Sequence, residues 1–342
     1  MRVLYIIRDR SSRNVRKRLH RWSVGFLDGQ DGFFEASLHQ AARVTRRSYA
    51  EAMAMPAAQR DAFDAVVINA KSGWPWARDP AAARAALDGF RAPLALFLGQ
   101  AQPDRMPPDR LLDPFRAVFK REPFADTDRY GLTPSNAAKI VPTHLSNPLV
   151  SMSYRFPGRN RTRPLARYAW EEPGTHDVFF IGTVNHDRLD ERLNAWAAVA
   201  QSGLDRIGGL LPLAGVAEAV PPELVTAPLP KPAYLEAMMQ SRINLALEGI
   251  GPFTFRHLEQ FWAGAFTLST PNIRPLRLRA PLVEGQDYVA FDGTDDMMDK
   301  IRWYLDHPEE RIAIARNGRA AYERLYDTAA HAGEIRAALQ AP

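Results

Sequence analysis

The alternation of short apolar runs with longer amphipathic ones constrains this chain more than any other feature. "RVLYII" (2–7), "DAVVINA" (64–70), "PLALFLG" (93–99) and "FRAVFK" (115–120) are rich in Val, Ile, Leu or Phe and bounded by polar, Gly or Pro positions. Such runs read as strands. Helical stretches fit between them: "FFEASLHQAARVTRRSYAEAM" (33–53) reads as one alanine-rich helix and "AAARAALDGF" (81–90) as a shorter one. Strand and helix in turn predict a mostly parallel sheet with helices on its faces.

The pattern breaks over 142–176, a Pro-, Arg- and Ser-rich stretch that reads as a connection. It then restarts. Strands are expected at "HDVFFIGT" (176–183), "LLPLAG" (210–215), "RINLALEG" (242–249), "AFTLST" (265–270) and "DYVAFDG" (287–293). Helices are expected at 188–203, at 232–241 with Pro232 in its first turn, and at 253–264, stopped by Gly264. Further helices are expected at 296–308, behind an N-cap region at Thr294–Asp296, and at 308–326 and 331–340. At 342 residues two domains are the default. The expected fold class is a double α/β architecture: an N-terminal domain over 1–150, a connection over 151–175, a C-terminal domain over 176–328 and a terminal helix over 329–342.

The composition, 46% apolar and 24% charged, can fill real cores. No apolar run reaches 18 residues, which argues against a transmembrane helix. The absence of cysteine excludes disulfides and thiolate chemistry and is compatible with a cytoplasmic setting. The net charge of +5 is unevenly spread, with six arginines in 8–21 and five in 154–167. Those runs suit a phosphate-bearing acceptor or peripheral contact with an anionic membrane, and equally a solvated surface. No zinc finger, basic zipper or single-strand RNA motif points to sequence-specific nucleic-acid binding. The scattered histidines contain no H-E-x-x-H, so no metal site is expected, and no G-x-S-x-G elbow is present.

Ligands of open α/β sheets bind beyond the carboxyl ends of the strands. In "FFIGTVNHDR" (179–188), Gly182 and Thr183 end a strand, and Asn185 and Arg188 lead into a helix. Helix-terminal amides and an arginine fork there suit phosphate. In "FTFRHLEQFWAG", Arg256 suits a diphosphate, and Glu259, one turn on, suits the vicinal hydroxyls of a ribose or sugar. The same spacing suits an intrahelical ion pair on a wet face, worth only ~0.2–0.5 kcal/mol. Glu248 ends "NLALEG" at the same rim. Asn69, Lys71, Ser72 and Gly73, with Arg8 and Asp9, are the polar tips of the N-terminal sheet.

The segments "VFFIGTVNHDRLDERL", "YLEAMMQSRINLAL", "TFRHLEQFWAGAFTLST" and "EGQDYVAFDGTDDMMDKIRWYLDHPEERIAIARNGRAAYERLYD" come in the order found in GT-B glycosyltransferases. Together they cover about 176–328 and resemble most the spore-maturation (CgeB-like) branch. The resemblance implies two Rossmann-like domains with parallel sheets facing across a cleft. It implies a UDP-, GDP- or TDP-linked sugar donor held mainly by the C-terminal domain, and transfer without a metal. It places Glu259 at the donor ribose, Arg256 near the diphosphate, and Gly182 and Thr183 on the loop facing the phosphates. It also implies that the terminal helix returns to the N-terminal domain. Retaining relatives carry two glutamates with seven residues between them. Here Gly251 stands in the first position and Glu248 three places earlier, so neither a retaining outcome nor a role for Glu248 follows. If the enzyme inverts, a base from the N-terminal domain is expected, with Asp9 the candidate because it follows the first strand. A sugar-nucleotide epimerase of the same architecture and a catalytically degenerate binding subunit are the competing readings.

Overall fold

The computed structural model describes residues 1–8, 30–147, 165–172 and 174–341. Contacts divide them into two compact units. One lies within Met1–Thr162, Pro275–Arg279 and Tyr326–Pro342, the other within Arg163–Arg274 and Ala280–Leu325.

The first unit is built on β1 (Arg2–Ile7), β2 (Arg43–Ser48), β3 (Ala65–Asn69), β4 (Leu94–Leu98), β5 (Phe115–Arg121) and β6 (Ile140–Thr143). Among the described residues these form a six-stranded sheet in the order β2-β1-β3-β4-β5-β6, each pair parallel. Residues two apart share a face of a strand. Leu4, Ile6, Val66, Ile68, Leu94 and Leu96 therefore fill one core, while Val3, Tyr5, Val67, Ala95 and Phe97 fill another on the opposite face. Burial on both faces explains why these strands read as continuous apolar runs.

The short helix expected over 81–90 is α3 (Pro80–Leu87), but the one expected over 33–53 is instead three elements: α1 (Gly32–Ala41), β2 and α2 (Tyr49–Ala54). Ala42 turns to extended backbone (φ −154°, ψ 161°), and β2 pairs with β1 along its whole length, from Arg2↔Arg43 to Ile7↔Ser48. Strand pairing outweighs the weak helical preference of "RVTRRS", whose Val44 and Thr45 are β-branched. Ser48 then caps α2 reciprocally with Glu51. β6, which the sequence did not suggest, runs into the stretch from 142 onward that reads as a connection. It is an edge strand, one of the few places in a sheet that tolerate a residue such as Pro142. The last helix, α9 (Thr328–Gln340), lies against α1, with Ile335 and Leu339 in the same core as Phe34 and Leu38. Its His331 is fully buried and 3.0 Å from the Thr143 hydroxyl.

The second unit is built on β7 (His176–Val184), β8 (Arg206–Pro212), β9 (Ser241–Ala246), β10 (Thr267–Ser269) and β11 (Val289–Ala290). Among the described residues they form a five-stranded parallel sheet, order β11-β10-β9-β7-β8. Helices α4 (Leu189–Gln201), α5 (Lys231–Met239), α6 (Phe255–Ala263), α7 (Thr294–Asp306) and α8 (Pro308–Leu325) complete it. Trp196 and Val199 of α4 and Met297 and Ile301 of α7 cover one face; Ala237 and Met238 of α5 and Ala263 of α6 cover the other. The cap of α7 is Gly293 rather than Thr294, which is its first residue. Each unit is thus a Rossmann-like parallel sheet wrapped by helices, the pair of which the GT-B fold is made.

Candidate functional site

In a parallel sheet every strand ends at the same edge, and the loops leaving that edge are where ligands bind. In the second unit β7 ends at Val184, β9 at Ala246 and β10 at Ser269. Gly182 is buried near the end of β7, Thr183 is exposed, and half-buried Asn185 leads into a single turn over His186–Arg188. The Arg188 side chain lies outside the described residues.

Helix α6 brings the other expected residues to this edge. Arg256 does not fold back along its helix. It reaches across to β7, where its Nε donates to the Ile181 carbonyl at 2.8 Å and the guanidinium lies 5.0 Å over the Phe180 ring. A side chain at position 182 would obstruct this approach, since a Cβ there would stand 2.7 Å from Arg256 Nη2 and 2.5 Å from Phe180 Cζ. Gly182 is therefore a requirement of close approach rather than of backbone angle. The two terminal nitrogens of Arg256 make no hydrogen bond or ion pair among the described residues.

Glu259 is only 7% exposed. One carboxylate oxygen accepts from the Tyr234 hydroxyl at 2.9 Å, and the other has no hydrogen-bond partner among the described residues. Burial raises the Glu259 carboxyl above its ordinary range. The Tyr234 hydrogen bond and the positive charges of Arg256 and Lys231 oppose that rise. The wet intrahelical ion pair that the spacing equally allowed does not form: Arg256 is engaged with β7 and Glu259 with α5. Tyr234 carried no signal in the sequence, because it reaches Glu259 only through the packing of α5 against α6.

The helix is pinned from beneath by His257, which is fully buried. Its Nδ1 accepts from the Thr254 backbone N–H at 3.0 Å, so the ring proton sits on Nε2 and is donated to the Ser269 hydroxyl at 2.8 Å. Ser269 in turn donates to the Thr270 carbonyl. Burial, with Arg256 nearby, pushes the His257 pKa down to about 3 and keeps the ring neutral.

Arg192 of α4 was missed from the sequence, although it falls on the buried stripe of its helix with Trp196 and Val199. It is 5% exposed. Its Nε donates to the Glu248 carbonyl at 2.9 Å, its Nη2 to the same oxygen and its Nη1 to the Thr183 carbonyl. It thus ties the loop after β9 to the end of β7. The Glu248 side chain is buried, with one carboxylate oxygen accepting from the Asn272 amide.

In the first unit, Asn69 is buried and donates to the Tyr5 hydroxyl at 3.0 Å, while Lys71 pairs with Asp31 at 2.7 Å. Ser72 is buried, and Gly73 takes a positive φ of 101°. Asp9 lies outside the described residues, as do most of the arginine-rich runs at 8–21 and 154–167. Among the described residues no group of three or more His, Asp or Glu is placed to hold a metal ion, and no helix is long and apolar enough to cross a membrane. A cavity of about 310 Å³ lies at the amino-terminal end of β9, lined in part by Trp170, Arg242, Phe266 and Arg311. None of Gly182, Thr183, Glu248, Arg256 or Glu259 lines it, so it belongs to the opposite edge of the sheet.

A family model described as glycosyl transferase-like matches residues 198–337. No curated protein matches the chain. Among solved structures, the DNA-modifying enzyme β-glucosyltransferase, studied with and without uridine diphosphoglucose, aligns with a TM-score of 0.56 at 9% identity over 99% of both chains. Anabaena Alr3699/HepE in complex with UDP gives 0.55 at 12% identity over 100% of both. An α-glucosyltransferase in complex with UDP-glucose and DNA containing an abasic site gives 0.53 at 14% identity over 95% of both. At these identities the likeness is one of fold. The chain therefore carries the GT-B fold, and shares it along nearly its whole length with glucosyltransferases.

Proposed function

We propose that this protein is a glycosyltransferase that takes a sugar from a nucleoside diphosphate donor, UDP-linked before GDP- or TDP-linked. The carrying observation is the separation of Arg256 from Glu259: among the described residues, a cation with two uncommitted nitrogens and a buried carboxylate with one uncommitted oxygen, on one turn of α6 at the carboxyl edge of a parallel sheet. The shared fold supports the same reading, because solved structures with this fold were obtained with UDP or UDP-glucose.

In this reading Glu259 accepts hydrogen bonds from the ribose, and Arg256 meets the diphosphate with the amides of the α6 first turn and the Gly182–Thr183 segment. Asn185, Arg188 and Glu248 complete the donor side. In the transfer step the bond between the sugar's anomeric carbon and the diphosphate oxygen breaks, and its electron pair leaves with the nucleoside diphosphate. The acceptor hydroxyl oxygen bonds to that carbon, and its proton passes to a base, for which Asp9 is the proposal. Arg256 stabilises the negative charge that develops on the leaving group, so the residues named here account for its departure without a metal.

The first unit is proposed as the acceptor side, with a glycan or lipid-linked saccharide as the acceptor class. We further propose a cytoplasmic location with peripheral contact to anionic membrane through the arginine-rich runs, a part in polysaccharide assembly, and kinship with the spore-maturation branch. A thermal-shift screen against UDP-, GDP- and TDP-linked sugars, followed by an assay for nucleoside diphosphate release without acceptor, tests the reading. Stabilisation by one donor class and slow hydrolysis of that donor are expected; neither stabilisation nor release by any of them contradicts it.

A further inference from the structure

The partner of Glu259 on a different helix deepens the proposed donor site. Tyr234 on α5 is held edge-on to the buried Phe179 ring of β7, centroids 5.3 Å apart at 72°. Its hydroxyl is thereby fixed by the sheet and not by α6. From that position it donates to one oxygen of Glu259 at 2.9 Å. A carboxylate held at one oxygen by a hydroxyl whose ring packs on the sheet is restrained in orientation, which helps to direct its second oxygen. We propose that Tyr234 is a positioning residue, acting through Glu259 to hold that carboxylate oriented for the hydroxyls of a ribonucleotide. The inference rests on the donor reading given above.

The electrostatics agree with this arrangement. Burial drives the Glu259 carboxyl toward its neutral form, which would lose acceptor capacity. The groups that oppose neutralisation are Tyr234 and Lys231 on α5 and Arg256 on α6. The Tyr234 hydroxyl is itself pushed above its ordinary pKa, by burial first and the Glu259 charge second, so it stays a donor. Removing the hydroxyl alone raises the Glu259 pKa further and frees the carboxylate to rotate.

Tyr234→Phe isolates the effect, since it keeps the ring that packs on Phe179. UDP and 2′-deoxy-UDP are titrated calorimetrically into the wild-type, Tyr234→Phe and Glu259→Gln proteins between pH 5 and 8. Tyr234→Phe is expected to bind UDP about 5- to 10-fold more weakly, to lose much less for 2′-deoxy-UDP, and to show its low-pH loss of UDP affinity at a higher pH than wild type. A merely structural role would weaken both nucleotides alike and leave the pH profile in place, which overturns the inference. Unchanged UDP affinity in Tyr234→Phe beside a loss in Glu259→Gln overturns it while leaving the donor reading intact. Wild-type protein that binds none of UDP, GDP and TDP overturns both.

Discussion

Arg256 and Glu259 stand one helical turn apart on α6, and neither neutralises the other: the arginine is bonded to the Ile181 carbonyl of β7 and the glutamate to the Tyr234 hydroxyl of α5. An ion pair at this spacing would contribute ~0.2–0.5 kcal/mol on an exposed helix. Burial disfavours the charged form of Glu259, a cost to stability of the kind that binding sites commonly carry.

Gly182→Ala tests the close approach of Arg256 to β7. The new Cβ meets the Phe180 ring and the guanidinium, and the arginine is the softer neighbour. The variant is expected to fold with a loss of ~1–3 kcal/mol and to bind UDP about tenfold more weakly, a change of ~1.4 kcal/mol. Urea denaturation and calorimetry measure the two effects. Full UDP affinity in the variant would mean that the position of Arg256 does not matter.

Arg192→Lys tests the tie between β7 and the loop after β9. One ammonium cannot serve both the Thr183 and Glu248 carbonyls as the guanidinium does. A buried carbonyl left unpaired costs ~1–3 kcal/mol, and in a unit of this size each kcal/mol lowers the melting temperature by about 2–4 °C. A drop in this range, accompanied by weaker UDP binding, is expected by scanning calorimetry. An unshifted melting temperature would remove Arg192 from the account.

His257 gives stability a pH dependence of known sign. Its pKa is about 3 when folded and 6.5 in the unfolded chain, so between those values the unfolded state binds the extra proton. Its contribution is complete above pH 6.5, declines as pH falls toward 3, and is constant below that. Between those values the slope is roughly 1.4 kcal/mol per pH unit. His257→Gln should be less stable than wild type at pH 7.5, with the gap narrowing as the pH falls to 4.5. Parallel urea midpoints across that range would contradict a buried neutral ring.

Most strands were legible in the sequence because they are buried on both faces, which leaves uninterrupted apolar runs such as "RVLYII" and "DAVVINA". β2 was not, because it is an edge strand with no fully buried residue, so it leaves no apolar run, and its alanine-rich flank imitates a helix. The Ser48–Glu51 capping box within "SYAE" did mark where the second helix begins. Arg256, Glu259 and Gly182 could be read from order and spacing. Tyr234 could not: its bond to Glu259 spans 25 residues and exists only once two helices have packed. Arg192 offered a fainter sign, a charge on the apolar stripe of its own helix, which an amphipathic reading should treat as an exception to explain.

The central claim is that α6 holds the ribose and the diphosphate of a nucleotide. Calorimetric titration of UDP into the wild-type, Arg256→Ala and Glu259→Gln proteins tests it most directly. Saturable binding by wild type is predicted, weakened at least tenfold in each variant, a loss of ~1.4 kcal/mol or more. Glu259→Gln should also melt no lower than wild type without ligand, since it removes a buried charge. Equal UDP affinity in all three proteins would contradict the claim.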